Sequence, residues 1–152
     1  MNSVRCMIAV AALAFTMPAQ AAVGDPEVLI YRVAGAVDDG GGGGLGTSFF
    51  CTNFSGVPET LRIVLRNQVG TTIVTNQAFA INHLQTVILS THDATTYTDT
   101  NLATGAFQGT AAIAATSPNV TCTAMQVQTN ITIPTGIALH MTRFSPAPGT
   151  QE

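Results

Sequence analysis

The side chains able to do chemistry are few: three histidines, His83, His92 and His140, and three cysteines, Cys6, Cys51 and Cys122. Nucleophilic catalysis needs a serine, threonine or cysteine beside a base that a third group orients. His92-Asp93 is the one place where histidine and carboxylate are neighbours. On an extended chain, however, adjacent residues point to opposite faces, and a solvated turn in a threonine-rich loop accounts for the pair better. His140 alternates away from Leu139 and Met141, as an outer-face residue does, and no Gly-x-Ser-x-Gly turn presents a serine. No catalytic residue is assigned.

Metal chemistry fares no better. Neither Cys-x-x-Cys nor His-x-x-x-His occurs. Asp93, Asp99 and Asn101 offer oxygens for calcium, but the alternating acids of an ordered ligand loop are missing. The run Asp38-Asp39-Gly40 to Gly44-Leu45-Gly46 has no lysine for a phosphate cradle. Read as a calcium-binding glycine repeat, it places Ser48 where the aspartate belongs. A flexible, solvated loop is the expectation, with no metal and no cofactor. Asn53-Phe54-Ser55, Asn119-Val120-Thr121 and Asn130-Ile131-Thr132 match the glycosylation acceptor pattern, which chance supplies in a chain with 23 threonines; no modification is inferred. Phe50, opposite in parity to Cys51, and Phe54 form a candidate exposed binding patch, the alternative being that the glycine-rich loop covers Phe50.

The elements that must carry these residues are strands. Of 152 residues 46% are apolar and only 9% charged, there is no lysine, and threonine is the dominant polar residue. Threonine is stiff at χ1 and suits the wet side of a pleated strand. Arg5, the apolar run Met7 to Phe15 and the small residues of Pro18-Ala19-Gln20-Ala21 make a three-part export leader, residues 1–21, too short to span a bilayer. Cys6 leaves with it. Residues 22–152 then form one domain with four arginines against eight carboxylates, a balance that disfavours nucleic acid and anionic membranes. No membrane insertion is expected once the leader is gone.

Leu61, Ile63 and Leu65 alternate with Arg62, Val64 and Arg66, the period-2 pattern of a strand with one buried face. Similar runs at Val28 to Ala34, Thr47 to Asn53, Ile73 to Ile81, Leu84 to Ser90, Gly109 to Thr116, Val120 to Gln128 and Ile137 to Met141 give seven or eight strands. Thr91 to Phe107 reads as a loop with a short helical turn near Asn101 to Ala106. Short strands separated by turns, without an amphipathic helix, predict an all-β antiparallel sandwich.

The segments Cys51-Thr52-Asn53-Phe54-Ser55, Asn101 to Gly105, Ser117 to Met125 and Arg143 to Thr150 resemble a family of small exported bacterial proteins of unassigned activity, over roughly residues 28 to 150. The resemblance implies export and a small β domain and adds no site residue. The cysteine placement also resembles an immunoglobulin-like sandwich, although the chain has no tryptophan to pack on the bridge. Two cysteines in an oxidising compartment, each in a strand with core-facing parity, predict a Cys51–Cys122 disulfide that joins the two sheets; buried free thiols are the rival.

The function expected is a non-enzymatic binding or structural module of the cell envelope or extracellular space, with an unknown protein or glycan partner. The alternatives are a surface-polymer subunit assembling by strand addition, with Val28 to Ala34 as donor, and a small secreted hydrolase using His92 or His140.

Overall fold

The structure, a computed structural model, describes residues 27–41, 44–132 and 134–143. The leader, Gly42, Gly43 and the ending after Arg143 lie outside them. Strands follow wherever the sequence alternates. In β3 (Glu59–Asn67) Leu61, Ile63 and Leu65 are buried between half-exposed neighbours. β7 (Phe107–Ala115) does the same with Ala111, Ile113 and Ala115, and β8 (Val120–Gln128) with Val120, Cys122 and Ala124. The remaining strands are β1 (Val28–Asp38), β2 (Leu45–Asn53), β4 (Thr72–Ile81), β5 (Thr86–Ser90), β6 (Thr100–Asn101), β9 (Gly136–Ala138) and β10 (Met141–Arg143). No helix occurs among the described residues, so the helical turn expected near Asn101 to Ala106 is corrected: β6 opens that stretch and irregular backbone follows.

The strand path β4-β3-β7-β1-β2-β5-β6 is nearly continuous, but β1 meets β2 through a single pair, Asp38 with Gly46. There the sheet folds over into two leaves. The first is β4-β3-β7-β1 with β10 added to β1; the second is β9-β8-β2-β5-β6. All pairings are antiparallel except β5 with β6. Ile30, Val33, Leu61, Ile63, Leu65 and Ile113 from the first leaf share one core with Phe49, Leu89 and Val120 from the second. Burial of each such side chain contributes roughly 1.5–3 kcal/mol. A β-sandwich is therefore the architecture, with ten strands among the described residues rather than seven or eight.

Two differences have local causes. β1 carries bulges between Leu29 and Tyr31 and between Ala34 and Ala36, so strict alternation fails and both Ile30 and Tyr31 are buried; the second bulge is built on Gly35 at φ +80°. The last expected strand is two, because the chain leaves β8 after β9, passes Leu139 and His140, and joins β1 as β10. Val28 to Ala34, the candidate donor segment, is the lower part of β1 and has β7 on one edge and β10 on the other.

Cys51 and Cys122 are disulfide-bonded, with Cα atoms 4.1 Å apart. They are direct register partners on neighbouring strands β2 and β8, so the bridge lies within one leaf and does not join the two. Parity correctly faces both sulfurs to the core. It cannot distinguish two strands side by side from two strands in opposite leaves.

Candidate functional site

The antiparallel path gives the molecule two distinct ends. The turns before β3, β5 and β8 and the start of β1 gather at the lower end, and the connections β1–β2, β3–β4, β5–β7 and β8–β9 at the upper one. The upper end collects nearly all the acidic side chains of the described chain outside β3.

Asp38 closes β1 at the corner, where its backbone pairs with Phe107 on one edge and Gly46 on the other. Its carboxylate is buried and fully engaged. Oδ1 accepts the Gly40 N–H at 2.7 Å and faces His92 Nδ1 at 3.4 Å; Oδ2 accepts the Thr104 hydroxyl at 2.7 Å. Asp39 accepts the Gly41 and Leu45 N–H groups at 3.0 and 3.1 Å, and the Gly44 carbonyl takes both the N–H and the hydroxyl of Thr129. The described ends of the glycine-rich loop are thus tied into the fold, which the composition of the run alone does not reveal.

Asp38, Asp39 and His92 can bring one ligand atom each to within 4.8 Å of one another. The histidine faces Asp38, 54 positions earlier, and not its neighbour Asp93, as adjacent residues of extended chain point apart. This pair orients an imidazole, but Asp38 is its only hydrogen-bond partner among the described residues, and no serine, threonine or cysteine is bonded to it. The carboxylate oxygens already accept donors from the corner, and the arrangement works as a joint between β1, β2 and the β5–β7 connection.

Beside that joint lies a groove of about 500 Å³. Asn67, Gln68 and Val69 of the β3–β4 turn, with Ile73, form one wall, and Asp38 and Asp39 the other. Phe107 and Gln108, opening β7, lie between them. A cleft of about 280 Å³ shares Gln108 with it, and a third of about 420 Å³ shares Leu45 and Gln126 with that middle cleft. No arginine lines any of the three, and the chain has no lysine. A string of glutamines, Gln68, Gln108, Gln126 and Gln128, therefore runs along the upper end between the apolar side chains of Val69, Ile73, Leu45 and Ile137. The sequence reading missed these residues; isolated glutamines at strand ends carry no motif, and only the fold puts them in line.

The residues singled out beforehand are dispersed. Phe50 is half-buried and meets Tyr97 edge to face with centroids 5.5 Å apart. Phe54 stays exposed at the lower end. His83 accepts the Gly56 N–H through Nδ1, and His140 is exposed on the chain between β9 and β10. Asp99 and Asn101 each cap their own loop through Ala94 and Ala103 N–H groups. Ser48, the surrogate for a calcium-site aspartate, is buried against Ser90 and Tyr97. Asn53 is wholly buried, its amide donating to Val57 and Ile81 carbonyls, which makes it a clamp on the β2–β3 turn. No family model, no curated protein and no solved structure matches the chain.

Proposed function

We propose that this chain is an exported, non-enzymatic binding module of the cell envelope or extracellular space, and that it binds with its upper end. The observation that carries the reading is the run of adjoining clefts, walled by side-chain amides and aliphatic groups and set on paired strand ends. Small-molecule sites have this composition, an apolar lining with a few placed polar groups. Rigid strands hold such groups in place better than free loops do. Export is supported by the leader pattern of residues 1–21 and by the Cys51–Cys122 bridge, which belongs to oxidising compartments. No helix of the described residues is long and apolar enough to cross a membrane.

The test uses exported protein. N-terminal sequencing is expected to start at Ala22. That material is expected to be retained on isolated envelope or secreted polymer, and Gln108→Trp, which plugs the first and middle clefts from an exposed strand position, is expected to abolish retention. Equal retention of the plugged variant would refute binding through the upper end.

A further inference from the structure

We infer that the three adjoining clefts of the upper end form one subsite-bearing groove for an uncharged polysaccharide chain. The inference rests on the binding-module reading and adds to it the class of ligand. Hydroxyl-rich ligands need planar groups that both donate and accept, and amides supply both functions. The Gln68 and Gln108 side chains have no hydrogen-bond partner among the described residues, so their amides are unspent. Asn67 commits its Oδ1 to the Val69 and Thr71 N–H groups, and its Nδ2 has no partner among the described residues. Gln126 donates Nε2 to the Gly35 carbonyl at 2.7 Å and keeps its oxygen.

The apolar side chains between these amides suit the C–H faces of sugar rings. Val69 is 77% and Ile137 70% exposed, with Leu45 at 39% and Ile73 at 36%. Val69 and Ile73 line the first cleft with Gln68 and Gln108, Leu45 the middle one with Gln108 and Gln126, and Ile137 the third with Gln126 and Gln128, so each cleft sets aliphatic surface beside amides, as binding a polymer of like units requires. Charge narrows the class further: Asp38 and Asp39 line one end and no cation lines any part, so a phosphorylated or uronic chain meets only repulsion. A peptide in extended form would need an open row of backbone groups. β3, β7 and Asp38 are paired on both edges, whereas β4 and β9, which reach the clefts through Ile73 and through Gly136 and Ile137, each pair with one strand among the described residues, so an extended peptide is the rival ligand that the experiment must separate.

The experiment is titration calorimetry of the mature protein with soluble disaccharides and hexasaccharides of cellulose, laminarin, xylan and mannan, with polygalacturonate as the anionic probe and a tryptic digest of albumin as the peptide probe. At least one neutral hexasaccharide is expected to bind, at least tenfold more tightly than its own disaccharide, because only the longer chain reaches a second cleft. Gln108→Ala, at the position shared by two clefts, is expected to weaken the hexasaccharide about tenfold, the loss of one well-made hydrogen bond. Thr86→Ala, at the lower end of β5 and away from the clefts, should leave it unchanged, and both variants should melt as the parent does. Failure of every neutral hexasaccharide, or binding indifferent to Gln108→Ala, overturns the inference. If polygalacturonate or the peptides bind instead and Gln108→Trp removes that binding, the binding module stands and the glycan class falls. If nothing binds and envelope retention is also insensitive to Gln108→Trp, both fall.

Discussion

Glu59 is wholly buried at the start of β3, and its two oxygens meet different surroundings. Oε2 accepts a very short hydrogen bond from the Thr116 hydroxyl, whereas Oε1 has no partner. Thr116 in turn accepts the Thr60 N–H, so one hydroxyl serves both strand β3 and the end of β7. A buried acceptor stripped of its donor costs about 1–3 kcal/mol, while removing both partners together costs much less. Thr116→Val is therefore expected to destabilise by about 2–3 kcal/mol, and Thr116→Val with Glu59→Leu by clearly less than the sum of the single variants, in urea titrations read as a double-mutant cycle. Additive single effects would show that the two groups are independent. The Cys51–Cys122 bridge acts at the same scale. It closes a separation of 71 residues, worth about 4–5 kcal/mol in the chain-entropy model, although it joins strands that the sheet already pairs. The double alanine variant should melt at least about 10 °C lower than the oxidised parent, given roughly 3–5 °C per kcal/mol at this size. A melting point unmoved by reductant would strip the bridge of any stabilising role.

Among the elements, β7 carries the tightest constraint. A Cβ on Gly109 would run into the Arg66 carbonyl and press on Asn67, because the upper ends of β3 and β7 approach there backbone to backbone. Gly109→Ala must force the strands apart or break their ladder, at an expected cost of about 3 kcal/mol or more. Gly56→Ala is the control: it meets open space and bears only the backbone strain of its positive φ, about 1–2 kcal/mol. Thermal melts of both variants check the order. Elements of this kind divide what the sequence discloses from what it hides. β3 is legible because one face is buried from Glu59 to Leu65, and β8 because the same holds from Val120 to Ala124, before buried Val127 shifts the parity. β1 is only half legible, since its bulges break the parity. The β5–β6 connection hides its role entirely: Thr95 and Thr96 bond to the carbonyls of Thr129 and Ile131, and Tyr97 lies on Phe50 and bonds to Ser48. These are long-range pairings of ordinary polar residues, for which no local pattern exists. The groove glutamines and the Asp38–His92 contact are invisible for the same reason.

At the scale of the whole molecule, the first and last described residues, Glu27 and Arg143, both lie in the lower half, opposite the groove. β1 starts beside Ala115, and Glu27 just before it pairs with Arg62 at 2.5 Å on the outer face of the first leaf. The hydrogen bond to Glu27, opposed by some desolvation and helped by its charge, holds the Arg62 guanidinium above its ordinary value. A raised basic group contributes its stability at all pH below its unfolded value and loses it only as pH rises through the folded one, so this partly exposed pair leaves ordinary pH titrations unchanged. β10 ends at Arg143, which reaches the Pro118 carbonyl in the lower β7–β8 turn and lies over the Tyr31 ring. A folded fluorescent domain fused after Glu152 is expected to leave envelope retention and hexasaccharide affinity within about twofold of the parent, because Arg143, the last described residue, lies in the lower half. The same mass inserted between Gln68 and Val69, in an exposed turn that tolerates insertion structurally, should abolish both while the core still melts cooperatively. A C-terminal fusion that blocks binding, or a turn insertion that spares it, would place the binding surface at the lower end, where Phe54 and Leu84 are exposed, and not along the glutamines.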